Sequence, residues 1–195
     1  MVPHRSRRIP VDLSSNRLAE TRRRLGEIPF DLTVSNPTAC GFSYPGDLLG
    51  GLGDPRGFVY EADPQGPTVT RKAVAGRYER YGAQVGPEQV FLTASTSEAY
   101  SFLFKVLADP GDAVIVPRPT YPLFDYLAAL ESLEAVSYPL LYDGAWRIDL
   151  EGLERALGPR ARAVLVVHPA NPTGNYLKKS EHHELLDICR RRRLA

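Results

Sequence analysis

Short apolar runs alternate with longer mixed segments along the second half of the chain. The runs at 89–93, 113–116 and 163–167 are rich in Val, Ile or Leu, a pattern typical of buried parallel strands. The segments between them repeat apolar residues at helical spacing. This alternation predicts an α/β fold with a mainly parallel sheet, helices on both faces and right-handed crossovers, preceded by an N-terminal arm.

The same pattern sets the bounds of the individual elements. We predict helices at 16–25, 69–81, 97–108, 123–130, 150–157 and 180–193, and strands at 29–34, 89–93, 113–116, 135–138 and 163–167. The helix at 97–108 is apolar almost all round, so we expect it to be buried on more than one side. Ser14 or Ser15 is the expected N-cap of the first helix. Residues 40–66, rich in Gly, Pro and Asp, predict a long loop of a kind that is often functional.

Composition narrows the functional classes. The 195 residues are 43% hydrophobic and 24% charged, with a net charge of +1, so no overall field favours nucleic acid or an anionic membrane. No apolar run approaches the ~20 residues that cross a bilayer, and the N-terminus lacks the apolar core of a signal peptide. The two cysteines, Cys40 and Cys189, lie in unrelated contexts and favour a reducing compartment, the cytoplasm. No metal site is expected.

Polar residues follow the first strand predicted in the second half of the chain. In open α/β sheets, ligands bind beyond the carboxyl ends of the strands. Ser95, Thr96 and Ser97 come directly after the strand at 89–93 and begin a helix. Their hydroxyls and the free N–H groups of a helix N-terminus could bind a phosphate. Simple N-capping explains the same residues.

Two later strand ends carry further candidate ligand-binding residues. Tyr121, between Pro119 and Pro122, could stack on a planar ligand or pack against the following helix. The amide of Asn171 both donates and accepts hydrogen bonds, although Asn-Pro is also a general turn former. Together, the three strand ends offer a phosphate cradle, a stacking ring and a polar anchor.

These residues resemble those of a known family. Asn171-Pro172-Thr173-Gly174, with the turn at Ser95–Ser97 and Tyr121, resembles the class I/II aminotransferases, the fold-type-I pyridoxal-phosphate enzymes. The resemblance extends from about residue 12 to the end of the chain. It implies a pyridoxal 5'-phosphate cofactor, with its phosphate at Ser95–Ser97, its ring on Tyr121 and its phenolic oxygen on Asn171. Ser95 is a variant position, because many relatives have Gly there.

Weaker matches lie in the first half of the chain. Tyr60, followed by Pro64, Gly66 and Arg71, resembles a segment whose Tyr reaches the phosphate in the partner subunit, which implies a homodimer at full length. The loop at 35–38 resembles a segment lying over the substrate, which implies a substrate contact for Asn36. The family also tends to have cis peptides at the positions matching Arg118–Pro119 and Asn171–Pro172, as X-Pro bonds allow.

The resemblance also implies a domain division and a reaction. Residues 1–45 would form the N-terminal arm and part of a small domain, and residues 46–195 the first half of the cofactor-binding large domain. The reaction would be transamination of an amino acid with a 2-oxo acid. The family's Schiff-base lysine has no counterpart here, since the chain's four lysines are expected on the surface, so we expect an inactive N-terminal half. These lysines are Lys72, Lys105, Lys178 and Lys179.

Three alternatives remain at this stage. The first is another fold-type-I pyridoxal-phosphate reaction, by a lyase or a decarboxylase. The second is a non-catalytic domain that binds a phosphorylated ligand or a partner protein. The third, a Rossmann-like dinucleotide domain, is disfavoured because no Gly-rich fingerprint follows a predicted strand.

Overall fold

A computed structural model describes residues 6–9, 14–30 and 36–195, and these form two compact units. The N-terminal unit lies between Ser14 and Leu92, and the sheet unit comprises Thr93–Ala195 with residues 6–9. The division into domains at 45/46 remains a prediction. Within the described ranges, no helix combines the length and the apolarity needed to span a bilayer.

The structure has the following regular elements. The helices are α1 Arg17–Leu25, α2 Thr68–Arg80, α3 Thr96–Leu107, α4 Phe124–Leu130, α5 Leu150–Ala156 and α6 Lys179–Arg192; the strands are β1 Ala113–Arg118, β2 Glu134–Tyr142, β3 Trp146–Ile148 and β4 Ala161–Val164. Short 3-10 turns occur at Leu48–Gly53, Pro55–Phe58 and Pro87–Gln89.

The sheet confirms the predicted fold class. Its order is β3-β2-β1-β4, in which β1 pairs in parallel with both β2 and β4, and β2 pairs antiparallel with β3. Alternate residues of β1 enter two separate cores. Val114 and Val116 pack with α3 and α4, whereas Ile115 packs with α5 and α6. All three are at most 1% exposed, which explains why this strand has no polar face.

The predicted strand at 89–93 is wrong. Pro87–Gln89 forms a 3-10 turn, and the residues after it are extended without entering the sheet. The Leu92 N–H donates to the Gln65 carbonyl at 2.9 Å, and Phe91 is 66% exposed. A strand needs a neighbouring strand to satisfy its N–H and C=O groups, and the described residues provide none at this position.

The predicted burial of α3 on more than one side is also wrong. Among its described residues only Phe104 is buried, whereas Phe102, Leu103 and Val106 are 53%, 52% and 80% exposed. One face packs against α4 and β1. No described element covers the opposite face, so its apolar residues remain in contact with solvent.

In the N-terminal unit, the predicted N-cap of α1 is wrong, and one predicted strand is not tested. The N-cap of α1 is Asn16 rather than Ser14 or Ser15, because Asn16 Oδ1 accepts from the Ala19 N–H at 2.8 Å. The strand predicted at 29–34 falls largely outside the described residues.

Candidate functional site

A capped helix N-terminus begins α3. The Glu98 N–H donates to Ser95 Oγ at 3.2 Å, and Glu98 Oε2 accepts from the Ala94 N–H at 2.6 Å. Thr93 Oγ1 donates to the Ser95 carbonyl at 3.0 Å. Ser95 is therefore an N-cap, as the simpler explanation expected. Its hydroxyl proton can still be donated elsewhere, because capping uses the oxygen only as an acceptor.

The next two residues of α3 provide donors. Thr96 and Ser97 are the first two helical residues, and N–H groups at these positions have no partner within a helix. Their hydroxyls make no hydrogen bond within the part of the chain that the structure describes. The positive end of the helix dipole lies at the same place. The arrangement suits an anion such as a phosphate, with the Glu98 carboxylate directed to the Ala94 N–H.

Tyr121 is held by aromatic contacts. Its ring meets that of Phe124 edge-on, with centroids 6.0 Å apart, and Phe124 meets the Tyr100 ring of α3 edge-on at 5.1 Å. Burial raises the pKa of Tyr100. Tyr121 itself is 39% exposed, whereas Phe124 is 2% exposed. The Tyr121 ring thus packs against α4, as one alternative predicted, and still leaves surface available for a ligand.

An ion pair closes the loop that carries Tyr121. Arg118 Nη2 lies 2.5 and 2.7 Å from the two carboxylate oxygens of Asp125. This contact joins the end of β1 to α4 across the proline-flanked residues. Through Phe124 and Tyr100, the same loop is tied to α3, so the structure brings Tyr121 into the neighbourhood of the Ser95–Ser97 helix.

Asn171 lies in a tight turn between β4 and α6. The Ala170 N–H donates to the Asn175 carbonyl at 2.9 Å, and the Gly174 N–H donates to the Ala170 carbonyl at 2.7 Å. Gly174 has a φ of +72°, a conformation that favours glycine. Asn171 is exposed, and its amide has no partner among the described residues. The amide is therefore available to a ligand.

His168 braces the base of this turn, a role that the sequence analysis missed. The Leu177 N–H donates to His168 Nδ1 at 2.8 Å, and the imidazole meets the Tyr176 ring edge-on at 4.9 Å. Because Nδ1 accepts, the neutral ring carries its proton on Nε2. A lone His after an apolar strand gives no sequence signal for this contact.

The expected cis peptides at Arg118–Pro119 and Asn171–Pro172 are confirmed. The structure has a third one at His168–Pro169.

Thr120 is a second residue that the sequence analysis missed. Its Oγ1 is a buried side-chain oxygen without a hydrogen-bond partner among the described residues. The residue lies directly before Tyr121. A partly exposed aromatic ring at Tyr121, a helix N-terminus with free donors and the unengaged amide of Asn171 together fit a planar, phosphorylated ligand.

The remaining candidates lie in the N-terminal unit. Asn36 is exposed, and its Oδ1 accepts from the Thr38 N–H at 3.1 Å and the Thr38 hydroxyl at 2.8 Å, so this oxygen is engaged in a local turn. Tyr60 is 91% exposed. Their ligand contacts remain predictions.

Arg71, which completes the pattern around Tyr60, is buried and makes four side-chain hydrogen bonds. It donates to the carbonyls of Gly66 and Pro87, each at 2.9 Å, and to Asp63 and Thr68, each at 3.0 Å. It therefore organises the turn that follows Tyr60.

A family model for aminotransferases of class I and II matches residues 53–195. The chain belongs to this family. Its members use pyridoxal phosphate, and the donors, ring and amide described above fit that cofactor. The match covers Ser95–Ser97, Tyr121 and Asn171 together with Tyr60.

Individual relatives agree with this assignment. The chain is 29% identical over 190 residues to the glutamate-pyruvate aminotransferase AlaA of Escherichia coli K12, which covers 95% of this chain and 45% of AlaA. It is 34% identical over 122 residues to the S-alkyl-thiohydroximate lyase SUR1 of Arabidopsis thaliana, covering 62% of this chain and 26% of the lyase. The crystal structure of an Escherichia coli aminotransferase superposes with a TM-score of 0.75 at 27% identity, covering 95% of this chain and 50% of that one. The chain thus spans about half the length of these aminotransferases.

Proposed function

We propose that this chain forms the phosphate- and ring-binding side of a pyridoxal-phosphate-dependent aminotransferase that acts on an amino acid and a 2-oxo acid. The observation that carries the proposal is the linked arrangement of the α3 N-terminus and the Tyr121 loop in one unit. The exposed amide of Asn171 follows the strand beside β1, at the same edge of the sheet.

Each residue has a defined role in this proposal. The N–H groups and hydroxyls of Thr96 and Ser97, with the hydroxyl of Ser95, hold the phosphate. Tyr121 supports one face of the ring, and the amide of Asn171 donates to the phenolic oxygen. When bound, the cofactor supplies an electron sink for chemistry at the substrate's α-carbon.

Several finer statements belong to the same proposal. Tyr60 reaches the phosphate of a partner subunit in a homodimer, and Asn36 contacts the substrate. The protein works in the cytoplasm without nucleic-acid or membrane partners. The name of AlaA supports glutamate and pyruvate as the first substrate pair to test.

We infer that none of the four lysines bonds the cofactor. The Lys105 ammonium lies 2.5 Å from Glu131 and 2.6 Å from the Ser101 hydroxyl. Lys178 and Lys179 form the cap and first residue of α6, and Lys72 is exposed on α2. We therefore expect a polypeptide of these 195 residues to bind the cofactor without catalysing transamination.

Two measurements test the proposal. The first is binding of 4'-deoxypyridoxine 5'-phosphate, which lacks the aldehyde and cannot bond a lysine. Tyr121→Ala should weaken it about tenfold through lost ring contact, whereas Tyr126→Ala, at an exposed tyrosine of α4, should leave it unchanged. Undetectable binding by the unsubstituted chain would refute the cofactor site.

The second measurement incubates the chain with pyridoxal phosphate, glutamate and pyruvate and follows alanine by chromatography. We expect no alanine. Sustained alanine formation would contradict the expected inactivity and would require one of the four lysines to act.

The likeness to SUR1 supports a carbon–sulfur lyase as a second candidate. The residues proposed to hold the cofactor would serve either reaction, so cofactor binding does not separate them. Release of a thiol from an S-alkyl substrate in the same incubation would favour the lyase.

A further inference from the structure

The turn that carries Asn171 is closed at its outer end by a side chain. The Ala170 N–H donates to the Asn175 carbonyl at 2.9 Å. Two residues further out on each side, the Leu177 N–H donates to His168 Nδ1 at 2.8 Å. In a regular antiparallel pair, the next hydrogen bond at this register is accepted by a backbone carbonyl. Here the imidazole takes the place of that carbonyl.

The position of the Asn171 amide depends on such closing contacts. The amide makes no hydrogen bond within the part of the chain that the structure describes, so it is placed only by the backbone that carries it. That backbone has few donors of its own, because Pro169 and Pro172 have no N–H. The contact between His168 and Leu177 is therefore one of a small number of interactions that fix the turn.

The surroundings of the imidazole include several titratable groups. Within the turn, the Tyr176 ring meets it edge-on, with centroids 4.9 Å apart. From α6, the side chains of Lys179, His182 and Cys189 line one groove with it, together with the terminal residue Ala195. Burial raises the pKa of Cys189, which keeps its thiol neutral. A second histidine in the same groove calls for a matched control in any test that varies pH.

We propose that the neutral imidazole of His168 positions the Asn171 amide for a ring-bearing ligand by holding the Leu177 N–H on Nδ1. The inference rests on the cofactor site proposed above. His168 is a positioning residue in this role, since it acts through the turn and not on the ligand. Nδ1 accepts a hydrogen bond only while it carries no proton, because both nitrogens of a charged imidazole are donors. Protonation of the ring therefore opens the outer closure of the turn.

The tautomer of His168 gives the first test. ¹⁵N NMR of the ligand-free chain, labelled at histidine, distinguishes a protonated from an unprotonated ring nitrogen. The signals of His168 are those missing from His168→Asn. We expect the proton of the neutral ring on Nε2. A proton on Nδ1 would overturn the inference, because that nitrogen could then not accept from Leu177.

Ligand affinity gives the second test. At about pH 8, His168→Asn should bind 4'-deoxypyridoxine 5'-phosphate within about twofold of the unsubstituted chain, because its amide oxygen is bonded to Cγ, as Nδ1 is. His168→Gln places its oxygen one bond further out and should raise Kd about threefold to tenfold, the loss of one hydrogen bond. Inorganic phosphate should bind all three proteins equally. Equal weakening of phosphate and ring ligand in His168→Gln would show a general loss of structure and would overturn the inference.

The pH dependence gives the third test. Histidines change charge between about pH 5 and 8, and comparison of variants at each pH cancels the titration of the ligand's own groups. The Kd of the unsubstituted chain should match that of His168→Asn at about pH 8 and approach that of His168→Gln at about pH 5. His182→Asn, at an exposed histidine of the same groove, should keep the pH dependence of the unsubstituted chain. A constant ratio of Kd between the unsubstituted chain and His168→Asn would overturn the inference.

The outcomes separate this inference from the cofactor site itself. Unchanged ring-ligand affinity in His168→Gln, together with weakened binding in Tyr121→Ala, would overturn the role of His168 and leave the cofactor site standing. Undetectable binding by the unsubstituted chain would overturn both.

Discussion

Glu181 joins the helix after the Asn171 turn to the neighbouring hairpin, and replacing it tests how that turn is anchored. Its Oε1 accepts from the Ile148 N–H of β3 at 2.8 Å, and its Oε2 accepts from the Lys178 N–H at 2.9 Å. Glu181 is 9% and Ile148 is 6% exposed. One carboxylate thus caps the start of α6 and accepts a hydrogen bond from a backbone N–H of β3.

Glu181→Ala removes both acceptors. A hydrogen bond to a charged group contributes about 1.5–3 kcal/mol, and the buried Ile148 N–H would be left unpaired. The Lys178 N–H is less buried and can be hydrated, so its loss resembles that of a helix cap, about 0.5–1 kcal/mol. The free energy of unfolding should therefore fall by about 3 kcal/mol.

Urea unfolding followed by circular dichroism measures this loss. Glu184→Ala is the matched control, because Glu184 is an exposed residue of the same helix, and its effect should stay within about 0.5 kcal/mol. The loss of unfolding free energy for Glu181→Gln should lie between those of the other two variants. The amide keeps one acceptor but places an NH₂ donor against the second N–H. A loss below about 1 kcal/mol for Glu181→Ala would refute the reasoning.

Two further predictions concern lowered carboxyl pKa values. The Asp109 N–H is the main cause that lowers the pKa of Asp112, so the stabilisation from this carboxylate is complete above the ordinary carboxyl pKa and is lost as pH falls through the lowered folded value. Urea unfolding between pH 6 and 3 should then depend less steeply on pH in Asp112→Asn; an unaltered slope would contradict this. The pKa of Asp63 is lowered first by the Gln65 N–H and next by Arg71. Arg71→Met should therefore raise it only part of the way in a carboxyl NMR titration, and an unchanged pKa would contradict the role of the guanidinium.

Sequence patterns predicted the elements whose causes are local. The helix predicted at 69–81 is found at Thr68–Arg80, and the strand predicted at 113–116 is found at Ala113–Arg118. Helical spacing, flanking prolines and a continuous apolar run act within a few residues, so they can be read without the fold. The prediction of a strand at 89–93 was wrong because a strand also requires a neighbouring strand, and an apolar run does not show whether one is present.

In the candidate site, too, features with local causes were predictable and features that depend on the fold were not. The motif around Asn171 and the helix start at Ser95 were visible as residue types at fixed spacing. The paired state of a hydroxyl was not visible, since it depends on what surrounds the side chain in three dimensions. Thr120 and His168 therefore emerged only from the structure.

Amide chemical shifts test the central claim most directly. Titrating the ¹⁵N-labelled chain with 4'-deoxypyridoxine 5'-phosphate should shift the backbone signals of Thr96, Ser97 and Tyr121 together with the side-chain amide of Asn171, at one common Kd. Inorganic phosphate should shift only the backbone signals of Thr96 and Ser97. If the ring ligand left these four signals unmoved while others shifted, or moved none at all, these residues would not form a pyridoxal-phosphate site.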